Sequence, residues 1–325
     1  MTTTESGMAD QLMALARRAL VIRKTGILIP FLITFAALSI VSPSFLKFQN
    51  LTNILDQQAG IIIVACAGTL VLIAGGIDLS IGAIYGLAGA VSAQIATTEP
   101  APVAILGGLG LGLLFGFANG VVVSRFRVNA LIATLAMSFV VAGIGAVLTK
   151  GNLVVAFDRP EFQVFAATRI AGITSAAWMM MLIVVAVGVL LARTTFGRYV
   201  YATGANVEAA RLGGVRVNGI RVATFALSGT AAAMAGVIDA SRVLSAQASS
   251  GQFLTFTVLT GIVVGGTSIM GGEGSIRRTV IGCLFVALVA NGFNLLGFDP
   301  FYQQITLGVI LLVAVGIDAW SRRFS

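Results

Sequence analysis

The chain has 325 residues, of which 58% are hydrophobic and 10% charged, and its mean hydropathy is +1.01. Soluble domains carry about 25% charged residues, so this composition excludes a soluble globular protein and predicts repeated crossings of a lipid bilayer. The net charge of +8 falls mostly between apolar runs, which indicates a membrane topology and not nucleic-acid binding.

Ten apolar runs long enough to cross a membrane follow one another along the chain. They cover residues 26–42, 58–76, 79–98, 101–123, 129–149, 175–192, 220–240, 253–270, 278–297 and 301–319. Before them, residues 1–25 are predicted to form a cytoplasmic amphipathic N-terminal segment, in which 8–24 is a basic helix pattern typical of the membrane surface. Residues 26–325 form a single transmembrane domain.

The basic residues orient these spans. Fifteen of the 20 lysines and arginines fall in segments on the side of the N-terminus, and the other five fall on the opposite side. Because basic residues collect in cytoplasmic loops, both termini are expected in the cytoplasm. The fold class is therefore an all-α integral membrane protein with about ten transmembrane helices.

A basic loop at 193–219 divides the chain near its middle. We expect two inverted five-helix halves, in which spans 2–5 are repeated as spans 7–10, as in many transporters. A weak echo between VLIAGGIDLS (71–80) and IVVGGTSIMGG (262–272) is consistent with such a repeat. In span 4, glycines at every fourth position (Gly108, Gly112, Gly116 and Gly120) indicate close helix packing.

The stretch AGGIDLSIGA (74–83) places an acidic residue at membrane depth. Gly75 and Gly76 can end span 2, and Asp78 and Ser80 can cap the amides that open span 3. Two interpretations stay open with equal weight: a capped turn without a transport role, or a gate element beside the translocation pathway.

The second half contains a comparable interruption and two intramembrane amides. Gly265 and Gly266 begin a glycine-rich break in VVGGTSIMGGEGSIRR (263–278). Asn291 and Asn294 lie on one face of span 9, where amides can bind a hydroxyl-rich ligand or hold helices together. Both roles remain open.

The cytoplasmic loop at 193–219 contains a short capped helix. Asn206 is a good N-cap, Glu208 lies in the first turn, and Gly213 and Gly214 supply the C-terminal stop. A two-turn helix is marginal alone, which favours docking onto a partner over a free helix on the membrane surface.

The sequence contains no recognisable motif for nucleotide binding, nucleophilic catalysis or metal binding. None of the three lysines belongs to a phosphate-binding loop, and there is no histidine, nucleophile elbow or zinc motif. The two cysteines lie in apolar runs and indicate neither a disulfide nor a metal site. The chain is expected to be no enzyme, to bind no cofactor or metal, and to depend on another energy source.

Four stretches, GGIDLS (75–80), TTFGRYVYATGANVEAARLGGV (194–215), VVGGTSIMGGEGS (263–275) and NGFNLLG (291–297), resemble permease subunits of ribose-type bacterial ABC importers. These belong to the branched-chain amino acid and sugar permease superfamily. The likeness extends from about residue 27 to 320. One departure is the stretch 253–257, Phe-Leu-Thr-Phe-Thr, where relatives commonly carry Gly-Tyr-Glu-Leu-Asp; the loss of both acids bears on the substrate.

The resemblance implies partners and site residues. It implies ten helices per permease, a second permease copy or homologue, and a cytoplasmic double-cassette ATPase that hydrolyses ATP. It also implies an extracytoplasmic binding protein that delivers a monosaccharide, and a place in the bacterial cytoplasmic membrane. The ATPase-coupling residues would be Asn206, Glu208, Ala209, Ala210, Arg211, Gly213 and Gly214, and Asp78 matches an acidic position of the family.

Two other functions remain open. The same architecture could carry another small polar solute such as a polyol. An ion-coupled secondary transporter is the rival mechanism, for which only Asp78 and Asp239 approach the membrane interior. A membrane scaffold would leave the broken helices unexplained.

Overall fold

The computed structural model describes residues 26–321. The described chain forms helices α1 (Leu28–Val41), α2 (Phe48–Ile73), α3 (Ile81–Ala96), α4 (Ala101–Arg125), α5 (Ala130–Thr149), α6 (Pro160–Ala167), α7 (Ser175–Arg193), α8 (Thr195–Ala205), α9 (Val207–Leu212), α10 (Val217–Val243), α11 (Leu254–Val264), α12 (Ile276–Leu295) and α13 (Pro300–Ser321). Short antiparallel ladders pair β1 (Val154–Val155) with β4 (Ser245–Ala246) and β2 (Arg169–Ile170) with β3 (Ile173–Thr174). The predicted amphipathic segment at 8–24 lies outside the described residues.

Each predicted span overlaps one apolar helix. Within the described chain, seven helices are long and apolar enough to cross a membrane: α2, α4, α5, α7, α10, α12 and α13. The other three spans correspond to the shorter apolar helices α1, α3 and α11. The helical, multi-pass architecture is thus confirmed, whereas ten crossings and the side on which the termini lie stay predictions.

Helices α3 and α11 are shorter than the hydrocarbon core of a membrane, so irregular backbone occupies the rest of that thickness. Their 16 and 11 residues rise about 24 and 17 Å, against a hydrocarbon core of about 30 Å. Within the predicted span 253–270 the helix α11 ends at Val264, where the sequence placed the start of the glycine-rich break. The following Gly266 has a positive φ of 82°, which glycine adopts without steric cost.

Helix α10 forms the centre of the fold and packs against α2, α3 and α4. Its contact with α4 runs along the predicted glycine stripe, whose four members are all buried. A Cβ on Gly112 would collide with the carbonyl oxygen of Gly229, and one on Gly120 would lie 2.6 Å from the Cα of Val222. The backbones of these helices therefore approach too closely for any side chain, as predicted.

Helix contacts repeat between the two halves. In the first half α3 packs on α4 and α5, and in the second half α11 packs on α12 and α13. The long helix of each half crosses to the other: α10 packs on α3 and α4, while α2 packs on α11 and α12. This correspondence supports the predicted repeat of α2–α5 as α10–α13.

The weak sequence echo cited as consistent with the repeat does not join equivalent positions. Residues 71–80 end α2, whereas 262–272 end α11, which corresponds to α3 in the first half. By helix order, the counterpart of the break at 74–80 is the segment 244–253, which joins α10 to α11. The echo was misleading because glycine ends many helices, whatever their place in a repeat.

Candidate functional site

The first break, at residues 74–80, contains a buried polar cluster around Asp78. Asp78 is only 3% exposed. Its carboxylate accepts hydrogen bonds from the Ser80 backbone N–H at 3.0 Å, the Ser80 hydroxyl at 2.6 Å and the Ser228 hydroxyl of α10 at 2.8 Å. The Asn119 side chain of α4 donates to Ser80 Oγ at 2.8 Å. The aspartate therefore joins the break to two packed helices.

The predicted capping is only partly right. Gly75, with a positive φ of 79°, ends α2 as expected, and the N–H of Gly76 donates to the carbonyl of Val71. Asp78 accepts a hydrogen bond from one backbone amide, that of Ser80. In the described chain the Ser80 side chain does not cap α3, because its hydroxyl donates to the Asp78 carboxylate instead. The amide of Gly82 in the first turn of α3 donates to Thr255 Oγ1 at 3.1 Å.

Both glycine breaks meet helix α8 at one place, which we call the glycine junction (Gly75, Gly204, Gly271 and Gly272). The Gly272 N–H donates to the carbonyl of Ile73 at 2.9 Å, and a Cβ on Gly271 would lie 2.9 Å from the Cα of Gly75. Gly204 of α8 is so close to Ile73 that a Cβ would overlap its carbonyl oxygen. The junction thus fixes α8 against the ends of both broken segments.

Other predicted residues of the second break have packing roles. Gly265 follows the last residue of α11 with helical backbone angles, and a Cβ there would lie 2.5 Å from the Arg278 carbonyl oxygen, so it allows α11 to approach α12. Tyr201 of α8 donates its hydroxyl proton to the carbonyl of Gly274 at 2.9 Å. Burial raises the pKa of the Tyr201 phenol above its ordinary value, so this donor loses its proton only at a still higher pH than a free phenol does.

Helix α9 has the predicted caps. The side chain of Asn206 accepts from the amides of Glu208 and Ala209, each at 3.0 Å, and Gly214 has a positive φ of 80°. Of the predicted coupling residues, Ala210 is buried and the others are exposed. Next to them Leu212 is 86% exposed, so α9 presents an apolar side chain beside charged ones.

The two asparagines of α12 do not form a shared ligand face. Asn291 exchanges two amide hydrogen bonds with Asn50 of α2, at 2.9 and 3.2 Å, and Asn294 is exposed. Neither lines the cavities described below. Of the two roles left open by the sequence, the structure favours that of holding helices together for Asn291.

A cavity of about 330 Å³, the central cavity, lies between the start of α3, one face of α5 and residues 247–256. Its polar lining consists of hydroxyl and amide side chains, and none of the described residues that line it is charged. These polar residues are Ser138, Thr149, Gln247, Ser249, Gln252 and Thr255.

Sequence reasoning missed the central cavity. It placed the pathway at Gly75, Gly76, Asp78, Ser80, Gly265, Gly266, Asn291 and Asn294, and none of these lines this cavity. A usable signal was the stretch SAQASSGQ (245–252), a run of small polar residues between two apolar helices. Gly251 fits against Gly82 so closely that a Cβ on either would strike the backbone of the other.

Comparison with known proteins defines the class of this chain. Residues 50–315 match the family model described as the permease component of the branched-chain amino acid transport system. The chain belongs to this permease family and is a multi-pass membrane permease, not an enzyme.

Individual relatives match nearly the whole chain. The ribose import permease protein RbsC of Escherichia coli (strain K12) is 39% identical over 90% of this chain and 92% of its own length. The L-arabinose ABC transporter permease protein AraH of Azospirillum brasilense is 35% identical over 93% and 89%. The fructose import permease protein FrcC of Rhizobium meliloti is 34% identical over 91% and 84%.

Proposed function

We propose that this chain is the permease subunit of an ABC importer for a monosaccharide, a ribose-like pentose or a hexose. An extracytoplasmic binding protein delivers the sugar, and a separate cytoplasmic ATPase with two cassettes powers the transport. The observation that carries the proposal is the uncharged polar lining of the central cavity, in a chain similar to import permeases named for ribose, arabinose and fructose.

The chemistry of the central cavity suits a neutral polyhydroxylated solute. Hydroxyl and amide groups both donate and accept hydrogen bonds, so they can pair with sugar hydroxyls without attracting ions. The cavity volume of about 330 Å³ lies within the range of small-molecule sites. Thr255, in the stretch where relatives commonly carry acids, already accepts from Gly82 of α3 and lines the cavity.

A second permease copy or homologue completes the pathway in this proposal. The central cavity is bordered by α5, on which Phe139 is 72% exposed and Leu135 is 42% exposed. Both side chains also line the central cavity, and together with its hydroxyl and amide groups they form a face suited to packing against another protein surface. A partner permease on this face would close the cavity against lipid.

The ATPase is proposed to dock on α9. Four of its six residues are exposed, Val207 is half-buried and Ala210 is buried, and the helix continues directly from α8 through Asn206. Since α8 is held in the glycine junction, a displacement of α9 would be passed to the ends of α2 and to the break after α11. ATP hydrolysis in the partner can thereby change the shape of the membrane region without ATP binding to this chain.

The docking role is tested by two proline variants of α9. Ala210→Pro removes the N–H that donates to the carbonyl of Asn206 at 3.0 Å, which costs an interior helix about 3 kcal/mol. Val207→Pro is the matched control, because proline is accepted at the first helical position and Asn206 already has the extended backbone that precedes proline. We expect Ala210→Pro to abolish uptake with normal membrane insertion, and Val207→Pro to transport. Normal uptake by Ala210→Pro would contradict the docking role.

Reconstitution separates this proposal from its rivals. Proteoliposomes containing this chain, its ATPase and its binding protein should accumulate one of labelled ribose, arabinose or fructose only when ATP is present. Uptake by the chain alone, driven by an ion gradient, would instead establish a secondary transporter. Uptake of a polyol in preference to all three sugars would mean that the chain is an ABC importer permease whose substrate is a polyol.

A further inference from the structure

A second cavity of about 320 Å³, the outer cavity, lies beside the carboxyl-terminal end of α10. Its walls include Tyr85 of α3, Asp239 and Arg242 of α10, and four residues after α10, which are Ser245, Ala246, Gln247 and Ser250. By the predicted topology this end of α10 faces away from the cytoplasm. The outer cavity differs from the central cavity because it contains a pair of opposite charges.

The charged groups of the outer cavity are held in place by a hydrogen-bond network. The carboxylate of Asp239 accepts from the Tyr85 hydroxyl and forms an ion pair with Arg242. Arg242 also donates through Nη1 to the backbone carbonyl of Asp56 at 2.9 Å, and the Asp56 carboxylate accepts from Thr174 at 2.6 Å. The orientation of the pair is therefore fixed from α2, α3 and α10.

The pair remains accessible and has unused hydrogen-bonding capacity. The side chains of Arg242 and Asp239 are 28% and 33% exposed. A carboxylate offers about four acceptor positions, and Tyr85 and Arg242 occupy two of those on Asp239 in the described chain. Two adjacent hydroxyl groups of one solute can use the others. Because the pair has no net charge, the outer cavity favours an uncharged molecule over an ion.

Gln247 connects the outer and central cavities, because it lines both. The segment 245–252 lies between them and is anchored at one end by the pairing of Ala246 with Val154. Further along, Ala248 is so close to Gly86 that a Cβ on this glycine would overlap the carbonyl oxygen of Ala248. Gln247 is therefore placed to contact a solute in either cavity.

We propose that the outer cavity is a second binding site for the transported solute, an uncharged polyhydroxylated molecule. The Asp239 carboxylate accepts hydroxyl protons of this molecule, and Gln247 contacts it during transfer to the central cavity. This inference rests on the proposed function, since it takes the transported solute to be a sugar. It adds an entry site whose chemistry, a neutral ion pair, is distinct from the hydroxyl and amide lining of the central cavity.

The test uses single introduced cysteines. The native thiols of Cys66 and Cys283 are buried, so a cysteine at a cavity wall becomes the reactive site for a polar maleimide. Ser250→Cys reports on the outer cavity, Ser138→Cys on the central cavity, and exposed Thr98→Cys is the control outside both. Labelling is measured in right-side-out vesicles with ribose, arabinose or fructose added. Uptake of the same sugars is measured in whole cells that contain the complete importer.

The transported sugar should slow the labelling of Ser250→Cys and Ser138→Cys but not that of Thr98→Cys. Adding Asp239→Asn should raise the half-protecting concentration at Ser250→Cys by about tenfold, as expected when hydrogen bonds to a charged acceptor are lost. Protection of Ser138→Cys in the same background shows that the variant is folded. If Asp239→Asn does not accumulate, Asp239→Glu displaces the carboxylate by one methylene and should weaken protection at Ser250→Cys alone.

Three results would overturn the proposal in distinguishable ways. Protection of Ser138→Cys without protection of Ser250→Cys would remove the outer site and leave the proposed function intact. Unchanged protection of Ser250→Cys in the Asp239→Asn background would remove Asp239 as the acceptor. Whole cells that take up a charged solute and no pentose, hexose or polyol would refute the proposed function, and the outer sugar site with it.

Discussion

The glycine contact between α4 and α10 allows a sharp test of the packing at the centre of the fold. Replacing Gly112 by valine places three carbon atoms where a single Cβ already collides with the Gly229 carbonyl oxygen and the Ala233 methyl group. Neither obstacle is the movable end of a long side chain, so the two helices must separate. Gly110 lies on the same helix with nothing within 4 Å of a built Cβ, which makes Gly110→Val the matched control.

The expected cost follows from this geometry. Overpacking a well-packed interior costs about 1–3 kcal/mol, and the backbone contact places Gly112→Val at the upper end of that range. Valine has a helix propensity better than that of glycine by a few tenths of a kcal/mol, which offsets little of the cost. Gly110→Val gains the same propensity without the collision, so its stability should be unchanged or slightly higher.

A thermal unfolding assay with a thiol-reactive fluorogenic dye suits this chain, because both native cysteines are buried until the protein unfolds. Gly112→Val should lower the unfolding midpoint clearly, and Gly110→Val should not. Equal midpoints for the two variants, or a lower midpoint for Gly110→Val, would refute the claim that these helices touch backbone to backbone.

The remaining predictions concern the helix caps and the buried polar groups. Asn206→Ala should destabilise α9 by about 1 kcal/mol, seen as faster amide hydrogen exchange in its first turn, whereas Asn206→Asp should keep the cap; equal exchange in both would contradict the capping role. Asp78→Asn should accumulate in the membrane nearly as well as the unaltered protein, while Asp78→Leu should accumulate less. The leucine leaves the Ser228 hydroxyl without its buried acceptor, and each unsatisfied buried group lowers the stability of the fold by about 1–3 kcal/mol. If Asp78→Asn folds normally but transports poorly, the charge itself serves the gate. Asn291→Leu should lower the unfolding midpoint by leaving the side-chain oxygen of Asn50 without its donor, and Asn50→Leu in addition should restore part of it; uptake should persist in the double variant, since neither residue lines the central or the outer cavity.

The sequence alone determined those features that depend on neighbouring residues. Apolar runs predicted where the ten apolar helices lie, because a helix in lipid satisfies its own backbone and needs only side chains of the right polarity. The caps of α9 were predictable for a similar reason, since Asn206 bonds to amides two and three residues away. The glycine stripe on α4 also follows from helical periodicity, although the sequence could not say that α10 covers it.

The tertiary structure decided every feature that depends on groups far apart in the chain. Asn291 meets Asn50 across 241 positions, and the amide of Gly82 meets Thr255 across 173, so neither partnership follows from local spacing. The central cavity likewise combines α3, α5 and the segment 247–256, and its polar residues share no periodicity that a single element could reveal. Periodicity determines which face of a helix is apolar, but only the packing of the helices of both halves against one another determines which polar side chains face one another.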